Sequence, residues 1–135
     1  MKRTALKQKT KIRKVGKLPI SKIQKILWQE CRRIADTRWK PICYTCDKPI
    51  SGSNKQLGHF IPKSICGASL KYDMRNLRWQ CYNCNINLGG NGAEFYRRMV
   101  KEVGEVQVEV LFQDKHKIVK AYDFYVDTLE KYKGL

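Results

Sequence analysis

Two stretches of the chain carry hydrophobic residues at the spacing of an α-helix. Apolar residues recur every three or four positions over residues 23–34 and again over residues 122–132, which is typical of helices that bury one face. Ser21 is the predicted N-cap of the first helix, and Pro41 predicts that this helix ends near Arg38. Both helices are expected to be packing elements.

In the centre of the chain the pattern changes to short runs that predict two strands. The first covers residues 56–61 and stops at Pro62, because proline cannot donate to a strand ladder. The second covers residues 77–80, with Leu77 and Trp79 on the side of the core. We expect the second strand to return alongside the first.

A further helix is predicted after a glycine-rich break. Asn91 is its predicted N-cap, Glu94 would complete a capping box with it, and Gly104 is predicted to end the helix. Residues 105–112 begin with the strict alternation of a strand, yet the run has no turn signal. The pattern alone leaves this segment open between strand and helix.

Charge is the strongest global feature of the chain. Its 135 residues carry 28 basic and 12 acidic side chains, a formal net charge of +16, and this length suits one domain with a modest core. Residues 1–18 hold no acidic residue and are expected to form a mobile basic arm before a single domain over residues 19–135. Nucleic acid is the usual partner of such a charge, with solubility or an acidic protein as the alternative.

The cysteines are interpreted through the expected compartment. No apolar run approaches the ~20 residues of a membrane span, and the basic start lacks the apolar core of a secretion signal, so we expect a cytoplasmic protein. Thiols stay reduced there, and the six cysteines favour metal binding over disulfides. Cys31 and Cys66 lie outside any paired motif and are expected to be small buried apolar groups.

The other four cysteines form two Cys-x-x-Cys pairs, Cys43/Cys46 and Cys81/Cys84. Two such pairs can present four thiolates to one tetrahedral zinc ion. A simple zinc ribbon separates its pairs by about 15–20 residues, whereas 34 residues intervene here. We therefore expect one structural Zn²⁺ per chain, which joins the ends of a small catalytic motif.

Histidine and asparagine are the residues in this segment that could carry chemistry. His116 lies in a charged run and is expected to be exposed, whereas His59 lies at the end of the first predicted strand. Imidazole suits a general base near neutral pH. An asparagine oxygen, from Asn76 or Asn85, suits Mg²⁺, and a further asparagine can orient the base. A lone histidine is more often structural, so that role stays open.

Taken together, these motifs resemble the HNH, or ββα-metal, nucleases. Within them the chain is most similar to the phage NinG (Rap) family of recombination endonucleases, and more distantly to endonuclease VII. The residues that carry the resemblance are Cys43-x-x-Cys46, Gly58-His59-Phe60-Ile61, Asn76, Cys81-x-x-Cys84-Asn85 and Gly90-Asn91-x-x-Glu94. It implies an α+β fold with a zinc-stapled, treble-clef-like ββα-metal core at residues 43–103, an N-terminal helix and C-terminal helices. It also favours helix for residues 105–112.

The resemblance implies roles for individual residues. His59 would be the general base, and Asn76 would hold the loop that aims it. Asn85 would be a ligand of a catalytic Mg²⁺ or Mn²⁺, and the four paired cysteines would bind structural zinc. The expected location is the cytoplasm of a host cell if the protein is phage-encoded.

One position departs from the pattern of many ββα-metal nucleases, which have a metal-binding aspartate just before the histidine. Here that position is Gly58, which leaves the metal one ligand short. Glu94 is the candidate for the missing carboxylate, with the capping-box role as an even alternative, and Asp73 is a weaker candidate.

The predicted function is metal-dependent hydrolysis of DNA, with branched recombination intermediates as the implied substrates and a homodimer left open. The alternatives are a zinc module that binds nucleic acid without cutting it and, less favoured, a zinc protein for protein assembly. Backbone contacts are expected from seven basic residues: Lys63, Lys71, Arg75, Arg78, Arg97, Arg98 and Lys101.

Overall fold

The structure is a computed structural model that describes residues 18–135, so the predicted arm lies outside the described residues apart from Leu18. Helices and one two-stranded antiparallel sheet make up the described part, which confirms the α+β class. In chain order the elements are α1 (Ile20–Arg38), β1 (Gln56–His59), α2 (Gly67–Leu70), β2 (Leu77–Gln80), α3 (Gly92–Val103), α4 (Glu105–Asp114) and α5 (Ala121–Lys133), with a π-helical turn at Asn83–Asn87 and 3-10 turns at Gly52–Asn54 and Met74–Asn76.

The described residues form two compact units. One contains the residues up to Ile34 and Val119–Leu135, and the other is Ala35–Ile118. In the first unit the Tyr122 hydroxyl donates to the Leu18 carbonyl at 2.8 Å, and Arg33 Nη2 donates to the Tyr132 carbonyl at 2.9 Å. A single domain over residues 19–135 stays a prediction.

Helix α1 ends at Arg38 as predicted but begins before the predicted cap. The carbonyl of Pro19 already accepts from the Lys22 amide at 3.0 Å, so Ser21 lies inside the first turn and is not the N-cap. Proline's fixed φ is compatible with the start of a helix, which explains the earlier start. No helix among residues 18–135 is both long enough and apolar enough to cross a bilayer.

The second unit contains the antiparallel pair of strands β1 and β2. Gln56 pairs with Gln80, and His59 pairs with Leu77. β1 is two residues shorter than predicted: the Phe60 amide still donates in register to the Asn76 carbonyl at 2.8 Å, but the Asn76 amide donates to the Asp73 carbonyl at 2.9 Å in a 3-10 turn, so the ladder ends there. β2 has the predicted bounds, and its four residues are all buried.

Helices α3 and α4 complete the core of this unit. Residues 105–112 lie in α4 and not in a strand, since Val108 and Leu111 are buried while Val106 is 74% exposed. Burial three positions apart is helical spacing. The core cluster consists of Phe60, Ile61, Cys66, Leu70, Phe95, Met99, Val108 and Leu111.

The predicted capping box at the start of α3 is wrong. Asn91 has a φ of 51° in the left-handed region, and its side chain makes no cap hydrogen bond. A capping side chain needs extended backbone at the N-cap. Its Nδ2 instead lies 3.7 Å from Cys84 Sγ, and Glu94 pairs with Arg97 and Arg98.

Candidate metal centre and histidine site

Two tight turns bring the four paired cysteines together. In the first, the Cys43 amide donates to the Lys48 carbonyl at 2.8 Å, and Asp47 adopts a φ of 64°. In the second, directly after β2, the Cys84 amide donates to Cys81 Sγ at 3.3 Å. The Tyr44 amide donates to the Trp79 carbonyl at 2.8 Å, which joins the first turn to β2.

The sulfur positions fit a zinc ion. The Sγ atoms of Cys43, Cys46, Cys81 and Cys84 all lie within 4.8 Å of one another, and Cys46 and Cys81 are 3.7 Å apart. Four sulfurs at ~2.3 Å from a tetrahedral zinc would be separated by ~3.8 Å. The cluster could therefore hold Zn²⁺ as four thiolates.

The pKa values of two of the four thiols favour the protonated form, which a bound cation would reverse. Burial, together with the neighbouring thiols, raises the pKa of Cys46 to about 12. Burial also raises the pKa of Cys84. The pKa of Cys43 falls to about 6, because hydrogen bonds led by the one from Thr45 outweigh its burial. A bound zinc ion would favour the thiolate form of every ligand, with release of protons.

A buried amide connects the cysteine cluster to the hairpin. Gln80 is fully buried, and its Nε2 donates to Thr45 Oγ1 at 3.0 Å and to the Gly90 carbonyl at 2.9 Å. Thr45 Oγ1 in turn lies 3.5 Å from Cys43 Sγ. Sequence reasoning missed Gln80 and Thr45, since neither stands in a recognisable motif.

Gly58 lies against this amide. A Cβ at Gly58 would lie 1.8 Å from Gln80 Oε1, which is an impossible approach. A metal-binding carboxylate at this position would therefore need the Gln80 side chain to move. The glycine that departs from the nuclease pattern thus leaves the space that the buried Gln80 amide occupies.

His59 ends β1 with its ring half-buried. Its Nε2 lies 2.8 Å from the Lys71 carbonyl, and since a carbonyl can only accept, the ring proton is on Nε2. Burial lowers the pKa of His59, and the nearby charges of Lys63 and Lys71 lower it further. The neutral ring, with its lone pair on Nδ1, is therefore the form present at pH 7.

Asn76 is fully buried beside the chain that follows His59. Its Oδ1 accepts from the Ile61 amide at 2.8 Å, and its Nδ2 donates to the Ile61 carbonyl at 3.1 Å. Its own carbonyl accepts from the Phe60 amide. Asn76 thus acts as the partner of the two residues after the histidine, Phe60 through its backbone and Ile61 through its side chain.

Asn85 lies in the π-helical turn and contacts the other end of β1. Its Nδ2 donates to Gln56 Oε1 at 2.9 Å, so the amide is anchored through its nitrogen. Gln56 and His59 are three residues apart on β1, about 10 Å along a strand. The structure thus places Asn85 and His59 around one short strand but at opposite ends of it.

The candidate carboxylate ligands already have cationic partners. Glu94 is paired with Arg97 and Arg98, which lower its pKa to about 2. Asp73 is bonded to Arg75. Among the described residues, the cysteine cluster is the one group of three or more histidine, cysteine or acidic side chains that could hold a metal.

The seven residues predicted to contact DNA differ in whether their charge is already paired with an acidic residue of the protein. Arg78 is buried and bonded to Glu102, and Arg75 is shared between Asp73 and Asp114. Arg97 and Arg98 pair with Glu94. The remaining three residues form no ion pair within residues 18–135: Lys63, Lys71 and Lys101.

Two predicted structural details are confirmed. Cys31 and Cys66 are fully buried, and His116 is exposed. These three residues therefore lie outside the candidate chemistry.

The fold and the cysteine cluster define a small α+β protein with a site that could hold zinc. The family model described as Bacteriophage Lambda NinG protein matches residues 1–135. The chain therefore belongs to the bacteriophage lambda NinG family. Neither the curated proteins nor the solved structures include a significant match to it.

Proposed function

We propose that this protein is a metal-dependent DNA endonuclease of the HNH, or ββα-metal, type that acts on branched recombination intermediates. The observation that carries the proposal is the state of His59. Its ring is held by the Lys71 carbonyl in one tautomer, and its pKa is lowered. Both features suit a general base at neutral pH, because the ring is neutral and held in one orientation.

In this mechanism His59 Nδ1 accepts a proton from water, and the resulting hydroxide attacks the phosphorus of a phosphodiester. The bond from phosphorus to the 3′ oxygen breaks, and a 5′-phosphate remains on the product. The bond from Nε2 to the Lys71 carbonyl supports the ring as it becomes positively charged. Asn76 positions the base, because both polar atoms of its amide hold Ile61, two residues further on.

A divalent cation would neutralise charge on the phosphate and on the leaving oxygen. The chain offers the Oδ1 of Asn85, whose amide is oriented by Gln56. Mg²⁺ binds through few protein ligands when it keeps waters and takes phosphate oxygens. With this one protein oxygen, such an ion would be held weakly and would bind together with the DNA.

The charge of the chain supports DNA as the partner. A formal net charge of +16 suits contacts with the phosphate backbone, which position a protein without reading sequence. Recognition by shape is what a branched substrate requires. A homodimer that cuts paired strands is compatible with this proposal.

The second candidate is a zinc module that binds nucleic acid and does not cut it. Gly58 and the ion-paired Glu94 favour this reading, because they leave the catalytic cation with one protein ligand. It predicts salt-sensitive DNA binding and no dependence of any cleavage on His59.

The two candidates differ in a cleavage assay on a branched DNA and a linear duplex of the same strands, with Mg²⁺ or Mn²⁺. His59→Ala is compared with His116→Ala, because His116 is the other histidine and is exposed. We expect His59→Ala to lose about 10²–10⁴-fold in cleavage rate and to keep its DNA affinity, while His116→Ala cuts normally. Equal cleavage by both variants would reject the nuclease.

A further inference from the structure

A basic groove with aromatic walls lies in the second unit beside the first cysteine turn. Its volume is about 730 Å³, and it is lined by residues from the end of α1, the Cys43 turn, β2 and one side of α3. His59 is not among its lining residues. Its volume is in the range of small-ligand sites, about 300–1,000 Å³, so it has room for a short unpaired segment.

The aromatic walls are held in place by a buried cation. The guanidinium of Arg78 lies 4.8 Å from the centroid of the Trp39 ring and 5.4 Å from that of Tyr44. Glu102 bonds both Arg78 and the Tyr44 hydroxyl. Trp39 and Tyr44 are half-buried, so each ring is ordered and still part of the surface.

The rim of the groove carries positive charge that the protein does not neutralise. Arg98 and Arg97 are paired with acidic residues. In contrast, Arg38, Lys40 and Lys101 are exposed, and they form no ion pair within the described part of the chain. Arg38 is the last residue of α1, Lys40 follows it closely, and Lys101 lies in the last turn of α3.

We propose that this groove binds an unpaired DNA segment, with its phosphates at Lys40, Lys101 and Arg38 and a base against Trp39. Cations that follow a backbone, combined with a ring on which a base can stack, are the features by which proteins hold single strands. A branched DNA exposes unpaired nucleotides at its branch point, so the inference deepens the proposed function and rests on it for the substrate. It adds a contact surface that does not include the hydrolytic residues.

The first experiment tests the role of charge with a double variant, Lys40→Gln with Lys101→Gln. The matched control is Lys117→Gln with Lys120→Gln, two exposed lysines outside the groove. Binding of a labelled oligothymidylate is titrated at several salt concentrations without divalent cations. We expect the Lys40→Gln, Lys101→Gln double variant to bind oligothymidylate more weakly. The magnitude of its slope of log K against log salt should fall by about 1.4, because each phosphate contact with a single strand contributes ~0.7. The control pair should leave the slope unchanged.

The stacking arm compares Trp39→Leu with Trp39→Phe. Loss of the ring should weaken oligothymidylate binding by about 5- to 150-fold, while phenylalanine should restore most of the affinity. Zinc content and near-ultraviolet circular dichroism confirm that each variant is folded. Duplex DNA of the same length should be bound by both variants as by the parent.

Three results would overturn the inference. The first is a Lys40→Gln, Lys101→Gln variant that binds like the Lys117→Gln, Lys120→Gln control, as expected if an acidic protein occupies the groove. The second is an equal loss of affinity for duplex and for single-stranded DNA. The third is a Trp39→Leu variant that binds oligothymidylate with the affinity of the parent. The proposed function fails separately, since it depends on cleavage by His59→Ala, and these titrations contain no divalent cation and measure no cleavage.

Discussion

Replacement of Gly58 by alanine tests whether the hairpin and the cysteine cluster are one packed assembly. The added Cβ would lie 1.8 Å from Gln80 Oε1 and 2.6 Å from its Cδ. The added Cβ would overlap the fully buried Gln80 amide, so the Gln80 side chain must leave its position. It would then lose its bonds to Thr45 Oγ1 and to the Gly90 carbonyl.

The size of the effect follows from these contacts. Two hydrogen bonds contribute about 0.5–1.5 kcal/mol each, and a buried polar group left without a partner costs about 1–3 kcal/mol. Alanine in place of glycine in a strand returns about 0.5–1 kcal/mol. We expect Gly58→Ala to lower the free energy of unfolding by about 1–5 kcal/mol.

The assay is urea unfolding of the zinc-loaded protein in a double-mutant cycle with Gln80→Ala. Without the Gln80 amide the Cβ has room, so Gly58→Ala should be neutral or stabilise the Gln80→Ala protein by up to about 1 kcal/mol. Equal costs of Gly58→Ala in the two backgrounds would refute the reasoning, because they would show that Gln80 is not what excludes the side chain.

Three further predictions concern the candidate sites. Cys84→Ser should lose zinc and unfold the second unit, as judged by elemental analysis and circular dichroism, where the parent gives one zinc per chain; a folded, zinc-free variant would contradict this. The cleavage rate should rise with pH through a midpoint below about 6.5, since burial lowers the pKa of His59, and Lys63→Ala should raise that midpoint by removing a like charge; a midpoint that does not move excludes His59 as the titrating base. Asn76→Asp cannot donate to the Ile61 carbonyl, so it should destabilise the protein and reduce kcat; unchanged stability would show that this amide does not hold Ile61 in place.

The sequence alone predicts those elements whose bounds depend on interactions within a few residues. The end of α1, the bounds of β2 and the span of α5 follow from hydrophobic spacing and from proline and glycine. The cysteine cluster was also predictable, because two Cys-x-x-Cys turns have few uses other than a shared metal. The family resemblance likewise rested on short motifs.

Only the tertiary structure decided features that depend on contacts between distant residues. Residues 105–112 alternate like a strand, but the burial of Val108 and Leu111 makes them a helix. Asn91 matches a capping motif, yet the turn that delivers Cys84 gives it a left-handed backbone. Gln80 excludes a side chain at Gly58 although it lies 22 positions away in the sequence. No local pattern indicates this contact. Packing across such separations outweighs local preference, because burial of a side chain contributes more free energy than the propensity of a single residue.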